Sequence, residues 1–264
     1  MLPDLKILIT GGNGYIAKRL HENLSVVYDV TSVTRSDFDL TDYNKTCEWF
    51  SKKTYDVVIH TAINGGSRLQ RDDDFVFEQN VAMFNNLVVN KHSFSKLITF
   101  GSGAELFHGA TPYANSKREI SKRIFDYPNF YNLRIFGVFD ENELATRFIK
   151  SNLQRYIRRE SMIIHTDKIM DFFYMKDLIS LVDYYIHNDA TKEINCSYEY
   201  KYTLSNIANI INKLDTYTVP IVIENKGKLD FYCGEYSELP IETVGMVTGI
   251  KNTFEILRDS INLI

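Results

Sequence analysis

Five short apolar runs punctuate the first half of the chain: residues 5–9 (LKILI), 27–33 (VYDVTSV), 56–60 (DVVIH), 96–100 (KLITF) and 132–136 (NLRIF). They are rich in β-branched residues and, with one charge each, largely uninterrupted by it, the pattern of strands buried on both faces. Between them, residues 14–24, 42–53, 74–92 and 112–126 place their apolar side chains at helical spacing. This alternation predicts an α/β fold with a doubly wound parallel sheet and helices on both faces. A sixth strand is predicted at 162–166 (MIIHT), after a helix at 143–159. Beyond about residue 160 the order loosens, with helices predicted at 176–187, 203–214 and 252–260 and strands near 194–198 and 220–224. That tail is too short for an independent core. The expected organisation is a main domain over 1–160, to which later segments return, and a small C-terminal α/β cap over 161–264.

Composition changes this picture little. Of 264 residues, 44% are hydrophobic and 24% charged, as in an ordinary globular protein. A formal net charge of −4 offers no nucleic-acid footprint. Arg155, Arg158 and Arg159, at helical spacing, read as a solvated face. No apolar run approaches the roughly 20 residues that span a bilayer, so no membrane partner is expected. Met1 leads straight toward a strand without a signal-like core. Cys47, Cys196 and Cys233 lie far apart, which suggests neither a disulfide framework nor a metal site and fits a reducing cytoplasm.

The first strand runs into Thr10-Gly11-Gly12-Asn13-Gly14-Tyr15-Ile16-Ala17. Gly11 permits a tight turn, Gly14 lets the backbone approach a pyrophosphate, and the small Ala17 lets helix and strand pack closely. The helix start, at Tyr15 and Ile16, would turn its N–H groups and partial positive charge toward phosphate. The second strand ends Ser32-Val33-Thr34-Arg35-Ser36, without the carboxylate that typically bonds the adenine ribose in an NAD site. Arg35 could meet a 2′-phosphate through charge-assisted bonds, with Thr34 or Ser36 adding hydroxyls; it could equally be a solvated loop cation. Asp39 and Leu40 follow where such folds flank the adenine. NADP(H) is therefore favoured over NAD(H).

Thr111-Pro112-Tyr113-Ala114-Asn115-Ser116-Lys117 reads as a helix start, with Thr111 as N-cap and Pro112 in the first turn. Tyr113 and Lys117 then share one face. A phenol of pKa about 10 is a poor acid–base group near neutrality. A neighbouring ammonium favours the phenolate and brings it toward useful range. Tyr113 could then give a proton to a carbonyl being reduced, or take one from an alcohol being oxidised.

On these motifs the chain resembles the extended short-chain dehydrogenase/reductase family, the NAD-dependent epimerase/dehydratases acting on nucleotide-sugars. Further matching segments are Asp39-Leu40-Thr41-Asp42, Asp56 to Ala62, Asn80-Val81, Leu133-Arg134 and Asp171 to Asp177. Within the family, Thr34-Arg35 and Asn64-Gly65-Gly66 are similar to GDP-fucose synthases. The resemblance implies a Rossmann-like NADP domain, a cap that holds a nucleotide-sugar, and a homodimer built on the helices at 74–92 and 112–126. Phe75, Phe84, Leu87 and Val88 would serve that interface or the chain's own core. It places Thr61 and Ala62 beside the cofactor and gives Asn80 the task of holding a helix kink and a relay water. It calls for a Ser or Thr after the fourth strand; Ser102 is the local hydroxyl, although one register puts Gly103 there. Glu105 falls near the carboxylates of the family's dehydratases, Arg147 falls where a group could grip a diphosphate, and Gly137 stands where relatives often carry Asn. His60 reads as a satisfied core group, Lys176 and Asp177 as a helix start closing the substrate cleft, and His108 as an exposed loop residue or a substrate contact.

Three functional readings follow, two of them enzymes: an NADPH-dependent reductase of a 4-keto-(6-deoxy) nucleotide-sugar, a 4-epimerase with tightly held NAD(P), and, from another class, a non-catalytic dinucleotide sensor or scaffold.

Overall fold

The computed structural model describes residues 5–66, 71–107 and 109–262. His108 lies outside them. The chain divides into two units, residues 1–134 with 181–194, and residues 135–180 with 195–264.

The first unit alternates strands and helices: β1 (Lys6–Thr10), α1 (Tyr15–Leu24), β2 (Asp29–Val33), α2 (Tyr43–Lys52), β3 (Tyr55–His60), α3 (Val76–Val89), β4 (Phe94–Ser102), the short α4 (Ala104–Phe107), α5 (Pro112–Ile124) and β5 (Phe130–Ile135). Ile7, Leu8 and Ile9 of β1 are fully buried, as a central strand with both faces covered requires. β1 pairs in parallel with β2 and β3, and β3 with β4, so Thr10 sits opposite both Val33 and His60 at the strand ends. Leu8, Val58, Phe84, Leu87, Leu97, Ile124 and Phe130 belong to one core cluster. Of the four candidate interface residues, Phe84 and Leu87 are thus committed to the chain's own core, whereas Phe75 is 68% exposed.

The remaining elements are β6 (Val138–Phe139), α6 (Phe148–Ile157), β7 (Met162–Met170), β8 (Phe173–Tyr174), α7 (Met175–His187), β9 (Glu193–Asn195), α8 (Leu204–Ile211), β10 (Ile221–Tyr232) and α9 (Met246–Asn262). Two expectations are corrected here. The large sheet runs β2-β1-β3-β4-β5-β9, so its sixth strand is β9, not the run at 162–166. That run forms β7, which pairs with β10 in a separate two-stranded sheet. Its mixed pattern of buried and partly exposed residues suits a strand covered on one side. The division of the chain falls after Arg134 and not at 160, because Phe139, Ile149, Leu153 and Tyr156 join the core cluster of Met162, Ile207, Ile250 and Phe254. Among the described residues, no helix is long and apolar enough to cross a membrane.

Candidate active site

The turn after β1 is dictated by its glycines. Gly11 has φ +73°, and a Cβ there would fall 2.7 Å from the Ala62 backbone, so only glycine lets the loops after β1 and β3 meet. Gly14 is the N-cap of α1 and gives that helix no side-chain cap, leaving its first turn to a ligand anion. Thr10 ties the two loops: its hydroxyl is bonded to His60 Nδ1 at 2.9 Å and accepts from the Ala62 N–H, while its carbonyl accepts from the Thr61 hydroxyl at 2.6 Å. Burial, reinforced by the Lys117 charge, pushes His60 down to about 3, so the ring stays neutral in the core.

A cleft of about 280 Å³ opens above this turn. Gly11, Asn13, Gly14, Arg35, Asp39, Leu40, Thr61 and Ala62 line it, together with Phe38, Asn64 and Met83. Tyr15 and Ile16 stand in the first turn of α1 but do not line the cleft, and neither does Asn80. At the β2 end, two carboxylates are engaged by hydrogen bonds from nearby residues. Asp37 accepts the Thr34 N–H and hydroxyl, which hold its carboxyl below the usual range. Burial pushes Asp39 up, but Thr41 and the Arg35 charge outweigh it and keep the carboxylate low. Arg35 remains mostly exposed, 3.8 Å from Asp39 and 3.3 Å from Asn64 Oδ1.

The Tyr113 region is half-buried and cross-braced. Thr111 caps α5 by accepting from the Ala114 N–H, and Pro112 sits in the first turn. One helical turn on, Lys117 donates to the Phe100 carbonyl at 2.6 Å, with its ammonium 5.9 Å from the centre of the Tyr113 ring. Burial, partly offset by Glu105, lowers Lys117 to about 8. The Tyr113 ring packs on backbone: a Cβ at Gly66, where φ is +70°, would lie 2.7 Å from Cε2 and Cζ. Asn80, wholly buried, accepts the Asn64 N–H and donates to the Asn64 carbonyl and to the Ser116 hydroxyl. It thereby ties the loop after β3 to the helix that carries Tyr113. Ser102 ends β4, and its Oγ accepts from the Ala104 N–H at 3.2 Å.

Glu105 is held on both carboxylate oxygens by its neighbours. One oxygen accepts the Ser102 N–H at 2.7 Å and the other the Arg134 guanidinium at 2.9 Å. Burial pushes its carboxyl up, while Arg134 opposes that shift. Arg134 also pairs with Glu193 at 2.5 Å, and Asn132 bonds the same Glu193. Together these groups form a closed floor under the end of β4. Local sequence could not show this, because Arg134 and Glu193 are distant in the chain.

In the second unit, Arg147 is the N-cap of α6, near Glu143, whose carboxyl burial pushes up to about 8. A Cβ at Gly137 would crowd Phe172 at 3.0 Å and the Asp171 carbonyl at 3.1 Å, which accounts for glycine there. Asp171 is ion-paired with Lys201 at 2.8 Å. Asp177 accepts from the Val244 and Gly245 N–H groups and from the Tyr198 hydroxyl, so it anchors the segment before α9 instead of facing a cleft. Among the described residues, no group of three His, Cys, Asp or Glu side chains is placed to hold a metal ion.

The model of the NAD-dependent epimerase/dehydratase family matches residues 7–198. The chain belongs to this family. It is an NAD(P)-dependent enzyme of the extended short-chain dehydrogenase/reductase type. No curated protein matches it by sequence. Among solved structures, it is similar to an NADP-bound GDP-mannoheptose C4 reductase from Campylobacter jejuni (TM-score 0.79, 18% identity, covering 98% of this chain and 99% of that one). It is also similar to a UDP-glucose 4-epimerase from Thermotoga maritima (TM-score 0.80, 16% identity, 97% and 100%). A third likeness is to a GDP-L-fucose synthetase from Naegleria fowleri bound to NADP (TM-score 0.74, 17% identity, 99% and 95%). At these identities the likeness is one of fold.

Proposed function

We propose that this family member is an NADPH-dependent reductase of a 4-keto-(6-deoxy) nucleotide-sugar. The observation that carries the reading is Tyr113, with Lys117 one turn along, packed on the Gly66 backbone of the loop that also lines the cofactor cleft. The glycine turn, the uncapped α1 and the cleft toward Arg35 fit a dinucleotide: Gly11, Asn13 and Gly14 would hold its pyrophosphate, and Asp39, Leu40, Thr61 and Ala62 its adenosine side. Arg35, with Asp37 and Asp39 turned into their own hydrogen bonds, favours a 2′-phosphate and hence NADP(H) over NAD(H). When bound, the nicotinamide supplies the hydride.

The chain's own residues do the rest. Tyr113 gives its phenolic proton to the substrate oxygen. Lys117 fixes a positive charge beside it and favours the phenolate left behind. Ser102 offers its hydroxyl hydrogen to the same oxygen while its Oγ accepts from Ala104. Arg147 stands for the diphosphate of the nucleotide-sugar within the second unit, which we read as the substrate side. We further read the protein as a cytoplasmic homodimer. Three free cysteines suit a reducing compartment, and the exposed Phe75 and Phe125 near the ends of α3 and α5 suit a second copy. Sedimentation of wild type and Phe75→Ser tests the dimer.

NADPH oxidation with a panel of 4-keto nucleotide-sugars tests the main reading, which expects one NADPH consumed per sugar reduced. The likeness to a 4-epimerase supports a second reading. That one expects cofactor to copurify and sugar to interconvert without net NADPH consumption.

A further inference from the structure

Arg35 does not stand alone at the rim. Its Nη2 donates to Asn64 Oδ1 at 3.3 Å, and the other end of that amide donates from Nδ2 to Gln79 Oε1 at 2.8 Å. A guanidinium can only donate, so Asn64 must turn its oxygen to Arg35 and its nitrogen to Gln79. The Asn64 backbone is held as firmly, since buried Asn80 bonds both its N–H and its carbonyl. A long exposed arginine loses rotamer freedom when it closes on an anion, and a fixed partner that already orients it reduces that loss. A neutral acceptor does this without cancelling the charge that the anion needs. The carboxylate of Asp39, 3.8 Å from Arg35 Nε, partly cancels it.

We infer that Asn64 is a specificity-determining residue for the cofactor: it holds Arg35 in place for the 2′-phosphate of NADP(H) and contributes little to NAD(H) binding. The inference rests on the reading of Arg35 given above. Asn64 lines the cleft in its own right, so a general loss of binding is distinguishable from a selective one.

The test is fluorescence titration of NADPH and NADH into the 264-residue chain as wild type, Asn64→Ala, Arg35→Ala and the double variant, with thermal melts of each. Asn64→Ala should weaken NADPH binding about threefold to tenfold, the range expected from one immobilised side chain, and leave NADH nearly unchanged. In the double variant, NADPH binding should be no weaker than in Arg35→Ala alone to within about twofold, because both act through one contact. Asn64→Asp, which sets a negative charge against the phosphate, should lose more NADPH affinity than Asn64→Ala. Losses that multiply, or an Asn64→Ala that weakens both cofactors equally with a lowered melting point, would overturn the inference. If Arg35→Ala leaves the NADPH-to-NADH ratio unchanged, the 2′-phosphate reading of Arg35 fails first, and the two failures stay distinguishable.

Discussion

At the Tyr113 end of the first unit, the polar groups are turned inward and bonded to one another. Lys117 meets the Phe100 carbonyl, Asn80 joins Asn64 to Ser116, and Glu105 bridges the Ser102 N–H and Arg134. At the Arg35 end, an exposed guanidinium rests on two longer contacts, 3.3 Å and 3.8 Å. The contrast separates two tasks. Chemistry needs groups fixed before the substrate arrives, since charge that develops in the transition state is best met by dipoles already in place. Choice between two cofactors differing by one phosphate needs only a cation that the phosphate can find, at modest strength. Damage at the first end should therefore be large and insensitive to salt, and damage at the second small and screened.

The largest effect is expected from Lys117→Met, which removes the charge beside the phenol. Turnover should fall about 10²- to 10⁴-fold, the usual contribution of positioned acid–base chemistry, in steady-state assays at saturating NADPH. Glu105→Ala removes one of the two carboxylates that Arg134 meets and empties part of the floor. Breaking such a buried pair costs about 3–5 kcal/mol, and denaturant unfolding should show a loss toward the lower figure because Glu193 remains. Gly66→Ala places a methyl against the Tyr113 ring at a φ of +70°. Turnover should drop by up to about 10²-fold, as misplacement of a reacting group by an ångström can do, while NADPH titration stays near wild type.

A pH test sharpens the same point. Burial lowers Lys117 from 10.5 in the unfolded chain to about 8 in the folded one. Between those values the unfolded chain binds the proton more tightly, so this residue's contribution makes stability rise with pH across the window. In Lys117→Met that part of the slope should vanish when unfolding free energies are compared through the window. The smallest effect belongs to the rim: raising ionic strength should weaken NADPH binding more than NADH binding, and Arg35→Ala should erase the difference.

The same contrast governs what could be read from the sequence. The glycine turn, the Tyr113–Lys117 pair and the alternating strands of the first unit rest on local spacing, and each appears within a few residues of its expected place. The bonds of Glu105 had no local signature, because Arg134, and the Glu193 that Arg134 also meets, lie far along the chain. β6 and β8 have two residues each and leave no periodic trace. The run at 162–166 was recognisable as a strand, but not as the partner of β10, since pairing across nearly sixty residues has no local signature. Asn64 was visible only as part of an Asn-Gly-Gly segment. Its bonds to Arg35 and Asn80 join residues 29 and 16 positions apart and have no local signature.

The central claim is that Tyr113 completes a hydride transfer to a nucleotide-sugar. The direct measurement offers NADPH deuterated at its transferable position to wild type and to Tyr113→Phe, with a 4-keto nucleotide-sugar, and locates the label by mass spectrometry and NMR. The account predicts one deuterium at C4 of the sugar per NADPH consumed by wild type. Tyr113→Phe should bind NADPH normally and form almost no labelled product. Unlabelled product, or undiminished labelling by Tyr113→Phe, would contradict it.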